Sequence, residues 1–129
     1  MTETPPLPTD AELEILGVLW DRGPATVREV LGTLEDDRGY TTVLKLLQIM
    51  NEKGSVTRRR EGRFHVYEAA IEREPTQRAL LRDLAEKAFA GSSDALVLRA
   101  LSSRGASDEE LEEIRGLLAG LERGGGDSR

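Results

Sequence analysis

From Gly39 to Ala69 the chain reads GYTTVLKLLQIMNEKGSVTRRREGRFHVYEA, and no other stretch constrains the fold as strongly. Val43, Leu46, Leu47 and Met50 recur at helical spacing, so a helix over about Thr41 to Lys53 would turn them to one side as core. Gly54 follows where a left-handed residue ends a helix. Val56, Arg58 and Arg60 then alternate with Thr57 and Arg59, and Phe64 to Ala69 reads as a returning strand, with the hairpin turn predicted at Glu61-Gly62. A helix running directly into a basic β-hairpin is the working half of a winged helix-turn-helix. Its helix can enter a major groove while the arginine-rich tip reaches the flanking backbone.

The preceding segment supplies the other helices that such a module needs. Thr9 and Glu12 form a T-x-x-E capping box, so a helix should begin near Asp10; Leu13, Leu16, Leu19 and Trp20 follow at helical spacing, and Gly23-Pro24 ends it. Thr26 and Glu29 form a second box before Val27, Val30, Leu31 and Leu34, and this helix should end at the acidic cluster Glu35-Asp36-Asp37.

The net charge of −6 argues superficially against a polyanionic partner, but its distribution does not. Met1 to Asp37 holds two basic and nine acidic residues, whereas Arg38 to Tyr67 holds seven basic and two acidic. The local field steers a ligand, and it is positive where the helix and hairpin fall. Cysteine is absent, which removes disulfides, thiolate metal sites and a cysteine nucleophile. No apolar run approaches the roughly 18 residues of a membrane span, and MTETPPLPTD lacks the features of a secretory signal, so a soluble cytoplasmic protein is expected.

After Ile71 the strand signals stop. Pro75 should open a helix carrying Ala79, Leu80, Leu84, Ala88 and Phe89, and Gly91-Ser92-Ser93 should break it. Leu96, Val97, Leu98 and Leu101 form a short apolar helix. Ser107 and Glu110 make a third capping box ahead of Leu111, Ile114, Leu117, Leu118 and Leu121. The expected organisation is a flexible lead (1–8), a winged-helix DNA-binding domain (9–72), a three-helix dimerisation domain (73–123) and a flexible tail (124–129). The fold class is mainly α with a small β-hairpin. Three short helices are too few for a self-sufficient core, so pairing with an identical copy would cover Leu80, Leu84, Phe89, Leu96, Leu98, Leu101, Leu111, Ile114 and Leu118. Folding back on the winged part is the alternative.

On the outward face of the third helix, Thr41, Leu44, Lys45 and Gln48 are candidates for base contact. Gln48 suits adenine, Lys45 suits guanine or phosphate, and Thr41, Thr42 and Leu44 suit thymine methyls. Arg63 at the tip, with Arg58 and Arg60, is a candidate for backbone contact; strand alternation prevents all the arginines from pointing one way. Thr26 would cap its helix or face a phosphate. Tyr40 and Tyr67 would offer hydroxyls to phosphate or pack half-buried. His65, the only histidine, is read as structural, and no metal site, cofactor or catalytic constellation is expected.

The segments LPTDAELEILGVLWDRGPATVREV, YTTVLKLLQIMNEKG, ALVLRAL and EELEEIRGLL, in that order and spacing, resemble the penicillinase-repressor family (the BlaI, MecI and CopY repressors). The resemblance implies a homodimeric transcriptional repressor that holds a dyad operator in double-stranded DNA through two winged helices and dimerises through its C-terminal part. In the antibiotic-resistance members it also implies induction by proteolysis, with a membrane sensor protease as the inducing partner. The family's cut falls at an Asn-Phe bond, and the matching pair here is Arg99-Ala100, which departs from that rule. The copper-responsive branch uses a cysteine-rich site that this chain lacks. An arginine that reads the operator in the antibiotic-resistance members is replaced by Leu44, which implies a different operator preference. Two rival readings remain: a winged-helix regulator triggered by a small molecule, and a protein-interaction adaptor that binds no DNA.

Overall fold

The computed structural model describes residues 5–34, 37–105 and 107–125. Six helices and one hairpin follow in the order α1 (Asp10–Arg22), α2 (Val27–Thr33), α3 (Tyr40–Lys53), β1 (Val56–Glu61), β2 (Phe64–Ala69), α4 (Arg73–Ala88), α5 (Ser93–Arg104) and α6 (Asp108–Gly125). The architecture is mainly helical with a two-stranded antiparallel sheet.

The first two helices start where their capping boxes place them. The Thr9 hydroxyl accepts from the Glu12 amide at 3.2 Å while the Glu12 carboxylate accepts from the Thr9 amide at 3.1 Å. Thr26 and Glu29 repeat the arrangement at 3.2 and 2.9 Å. Each box satisfies two amides that a helix start otherwise leaves bare. Gly54 ends α3 with φ 93°, in the left-handed conformation that glycine adopts without a Cβ penalty. α2 closes at Thr33 with Leu34 as its C-cap; Glu35 and Asp36 of the expected acidic terminus lie outside the described residues.

Ile15 and Leu16 of α1, Val30 of α2, and Val43, Leu47 and Met50 of α3 have no exposed surface, and Val56 and Tyr67 of the hairpin join them. Leu46, expected in the same set, is half-buried. The hairpin is tied to the helices through the α1–α2 turn. Ala25 donates to the Tyr67 carbonyl at 2.9 Å and accepts from the Tyr67 amide at 2.8 Å. A second tie is half-buried: the Glu12 carboxylate, 3% exposed, pairs with Nζ of the partly exposed Lys53 at 2.8 Å and joins the start of α1 to the end of α3. Where the chain leaves β2, Trp20 Nε1 donates to the Ile71 carbonyl at 2.9 Å and the Arg73 guanidinium lies 5.5 Å from the indole centre.

Three boundaries differ from the sequence reading. The strand register pairs Glu61 with Phe64, so the two-residue turn is Gly62-Arg63, not Glu61-Gly62. Gly62, with φ 61°, takes the first central position, where a type II′ turn accepts glycine. α4 begins at Arg73, with Pro75 inside the first turn, where the missing amide costs no intrahelical bond. α6 runs through Gly124 and Gly125, which were expected in the tail; glycine there weakens a helix by about 1 kcal/mol without preventing it. Gly126 to Arg129 lie outside the described residues.

The chain divides into two compact units, Met1–Leu81 and Arg82–Arg129, with the division inside α4, whereas the sequence reading put a boundary at the start of that helix. In the second unit Ala85 is the only buried residue among those described. Its first turn passes through left-handed Ala90 (φ 50°) and Gly91 (φ 82°), and the Gly91 amide closes the end of α4 onto the Ala85 carbonyl at 2.8 Å. The third capping box is formed: Ser107 and Glu110 exchange bonds of 2.9 and 3.1 Å.

Candidate nucleic-acid interface

The core stripe of α3 fixes what its other side presents. With Val43, Leu47 and Met50 fully buried, Thr41, Thr42, Lys45 and Gln48 face solvent. Thr41 to Gln48 spans about 10 Å of helix at 1.5 Å per residue, the reach of a few base pairs. Neither Lys45 nor Gln48 makes an ion pair or a side-chain hydrogen bond to any described residue. Leu44 differs from its companions. It is half-buried and packs on the core, because its place on the helix lies at the edge of the outward face, on the wall of a cleft shared with α2 and the hairpin.

The hairpin sorts its arginines by register. Arg58 pairs with Tyr67 and Arg60 with His65, on the face that begins with buried Val56; Arg59 pairs with Val66 on the other. Arg59 is held between two carboxylates, Glu61 at 2.9 Å and Glu68 at 3.4 Å, which neutralise it. Arg60 Nε donates to the Gly62 carbonyl at 3.2 Å and so stiffens the tip. Arg58 and Arg63 are exposed and engage no described carboxylate. Arg63 occupies the second central position of the turn.

Between α2, the start of α3 and the hairpin tip lies a cleft of about 270 Å³. Arg28, Tyr40, Leu44, Arg63, Phe64 and His65 line it, and no carboxylate does. The Arg28 guanidinium sits 5.3 Å from the Tyr40 ring centre, within cation–π range. Thr26 also reaches the cleft, but its hydroxyl oxygen is engaged as the α2 cap. Its amide in turn holds the Glu29 carboxyl below the usual carboxylate range, with the positive charge of Arg22 helping and partial desolvation opposing. Tyr67 is fully buried, so it serves the core and not a phosphate.

Arg28, Phe64 and His65 were not assigned to this face from sequence. Arg28 belongs to a different helix and Phe64 looks like an ordinary strand residue; only the pairing of tip and helix ends brings them together. Among the described residues no cluster of three or more potential metal ligands occurs, and no helix is long and apolar enough to cross a membrane.

The candidate pairing residues fall into two groups. Leu84, Leu98, Leu111 and Leu118 are exposed, whereas Leu80, Phe89, Leu96, Leu101 and Ile114 are half-buried. Arg99 and Ala100 are exposed but sit inside α5, so a protease would meet them in helical form.

A family model described as penicillinase repressor matches residues 8–120 of this chain. The transcriptional regulator BlaI of Mycobacterium tuberculosis is 35% identical over 121 residues, covering 91% of this chain and 86% of that protein. The penicillinase repressor of Bacillus licheniformis is 26% identical over 112 residues, covering 85% of this chain and 88% of its own length. Among solved structures, the DNA-binding domain of the repressor BlaI superposes with a TM-score of 0.51 at 28% identity, over 58% of this chain and 93% of that one.

Proposed function

The chain belongs to the penicillinase repressor family, and on that premise we propose that it is a sequence-specific DNA-binding transcriptional repressor, working as a homodimer on a dyad operator. One observation carries the reading: Lys45, Gln48, Arg58 and Arg63 are exposed and uncommitted on a helix and hairpin that a shared core holds in fixed register. Unengaged donors on a rigid frame are what groove and phosphate recognition require. Thr41, Thr42, Lys45 and Gln48 read base edges, Leu44 packs at the margin of that face, and Arg58, Arg60, Arg63 and Tyr40 hold the backbone.

Pairing through the C-terminal unit is supported by the exposure of Leu84, Leu98, Leu111 and Leu118 in a unit with almost no interior. Two linked winged helices engage a dyad with the second contact effectively intramolecular, so splitting the pair releases the DNA. Cleavage at or near Arg99-Ala100 is one way to split it, after α5 opens.

The test is recovery of bound fragments from sheared genomic DNA, followed by affinity measurements across a salt series. A short dyad sequence bound with steep salt dependence supports the reading; no enrichment over random DNA by folded protein overturns it. On the recovered site, Lys45→Ala weakens operator binding. Arg63→Ala weakens binding to all sequences and lowers the salt slope by about one.

A further inference from the structure

We propose that the cleft between α2, α3 and the hairpin tip holds one deoxyribose-phosphate segment of duplex DNA, with Phe64 and Tyr40 against the sugar and Arg28, beside Arg63, on the phosphate. The inference rests on the DNA-binding reading above and adds residues to it. When a helix lies in a major groove and a hairpin tip reaches the neighbouring minor groove, one sugar-phosphate ridge has to pass between them. The cleft is the space between those two elements.

Its chemistry matches that ridge. The sugar is largely apolar and the phosphate anionic. Phe64 is 61% exposed and Tyr40 43% exposed, and with half-buried Leu44 they form a small apolar patch where a scattered hydrophobic residue would form none. Arg28 and Arg63 stand at the same cleft and neither pairs with a described carboxylate. Stacking of Arg28 on Tyr40 fixes the guanidinium without consuming its hydrogen-bond donors. The groove on the α1 side makes the contrast: Arg22 and Arg38 line it together with Glu14 and Asp21, so its lining carries no excess positive charge to hold the same ligand.

The experiment uses the full chain and a fluorescein-labelled mixed-sequence DNA duplex, with anisotropy read across a salt series. Arg28→Ala should lower the slope of log K against log salt by about 0.9, the release from one phosphate. Phe64→Ala should weaken binding about fivefold with the slope unchanged, because it removes apolar contact and no charge. A role for Arg28 confined to holding α2 against α3 would leave the slope alone. Wild-type slope in Arg28→Ala, or wild-type affinity in Phe64→Ala, while Arg63→Ala still lowers the slope, overturns the clamp and spares the DNA reading. Wild-type protein that shows no salt-dependent binding overturns both. Thermal melts check folding, and Arg28→Ala carries the test alone should Phe64→Ala melt early.

Discussion

In the first unit Ile15, Leu16, Val43 and Leu47 have no exposed surface, whereas in the second Leu98, Leu117 and Leu121 are 72%, 69% and 69% exposed. Each unit contains an amphipathic helix that starts at a capping box, so such local signals do not separate them. The difference is convergence. In the first, three helices and a hairpin bring apolar faces onto one centre, and the Ala25–Tyr67 bridge closes it. In the second, α5 and α6 leave Leu98, Leu117 and Leu121 uncovered, and Ala85 is the one buried residue among those described. Well-formed helices therefore do not certify a finished core. An amphipathic helix states that a partner is required, and the partner can come from the same chain or from another copy.

The largest effect expected from this contrast is in the first unit. Ile15→Ala should lower the unfolding free energy by about 2–5 kcal/mol, the cost of a cavity in a closed core. Leu98→Ala, in the same denaturant titration at concentrations where chains are separate, should cost below about 0.5 kcal/mol. Equal losses at the two sites would break the comparison.

Next comes association. Leu98→Asp combined with Leu117→Asp should leave the chain monomeric by sedimentation at concentrations where the wild type pairs. It should also weaken operator binding by about a hundredfold while the first unit keeps its melting temperature. A wild type that sediments as a monomer throughout would mean that the exposed leucines await something other than a second copy.

The smallest effect concerns the α2 cap. Thr26→Ala should cost about 1 kcal/mol in chemical denaturation. Because the Glu29 carboxyl is held below its ordinary range by the Thr26 amide, its contribution is fully present above the unfolded-state pKa and lost as pH falls through the lowered folded-state value. Glu29→Gln should therefore flatten that part of the acid limb of a stability–pH curve.

What the sequence discloses here follows from how local each determinant is. The capping boxes at Thr9, Thr26 and Ser107 involve residues three apart, and all three form. The buried stripe of α3 is a matter of spacing along one helix, and Val43, Leu47 and Met50 obey it. The hairpin tip is less local. Gly62 suits the second position of one turn type and the first of another, and only the pairing of Glu61 with Phe64 selects between them. Leu44 lies at the margin of two faces, so its burial depends on what packs alongside. The cleft is least legible of all: Arg28, Tyr40 and Phe64 are separated along the chain, and nothing in their individual neighbourhoods signals that they meet.

Trp20 is the only tryptophan, and the two tyrosines are Tyr40 and Tyr67, so every strong near-ultraviolet chromophore of the chain belongs to the first unit. Its indole also donates to the Ile71 carbonyl and lies beneath the Arg73 guanidinium, at the passage from hairpin to α4. The molecule is thus optically one-sided. Tryptophan emission follows the melting of the first unit and any disturbance at the root of α4. The second unit is silent in that band, and cutting it away within α5 would leave absorbance per molecule unchanged.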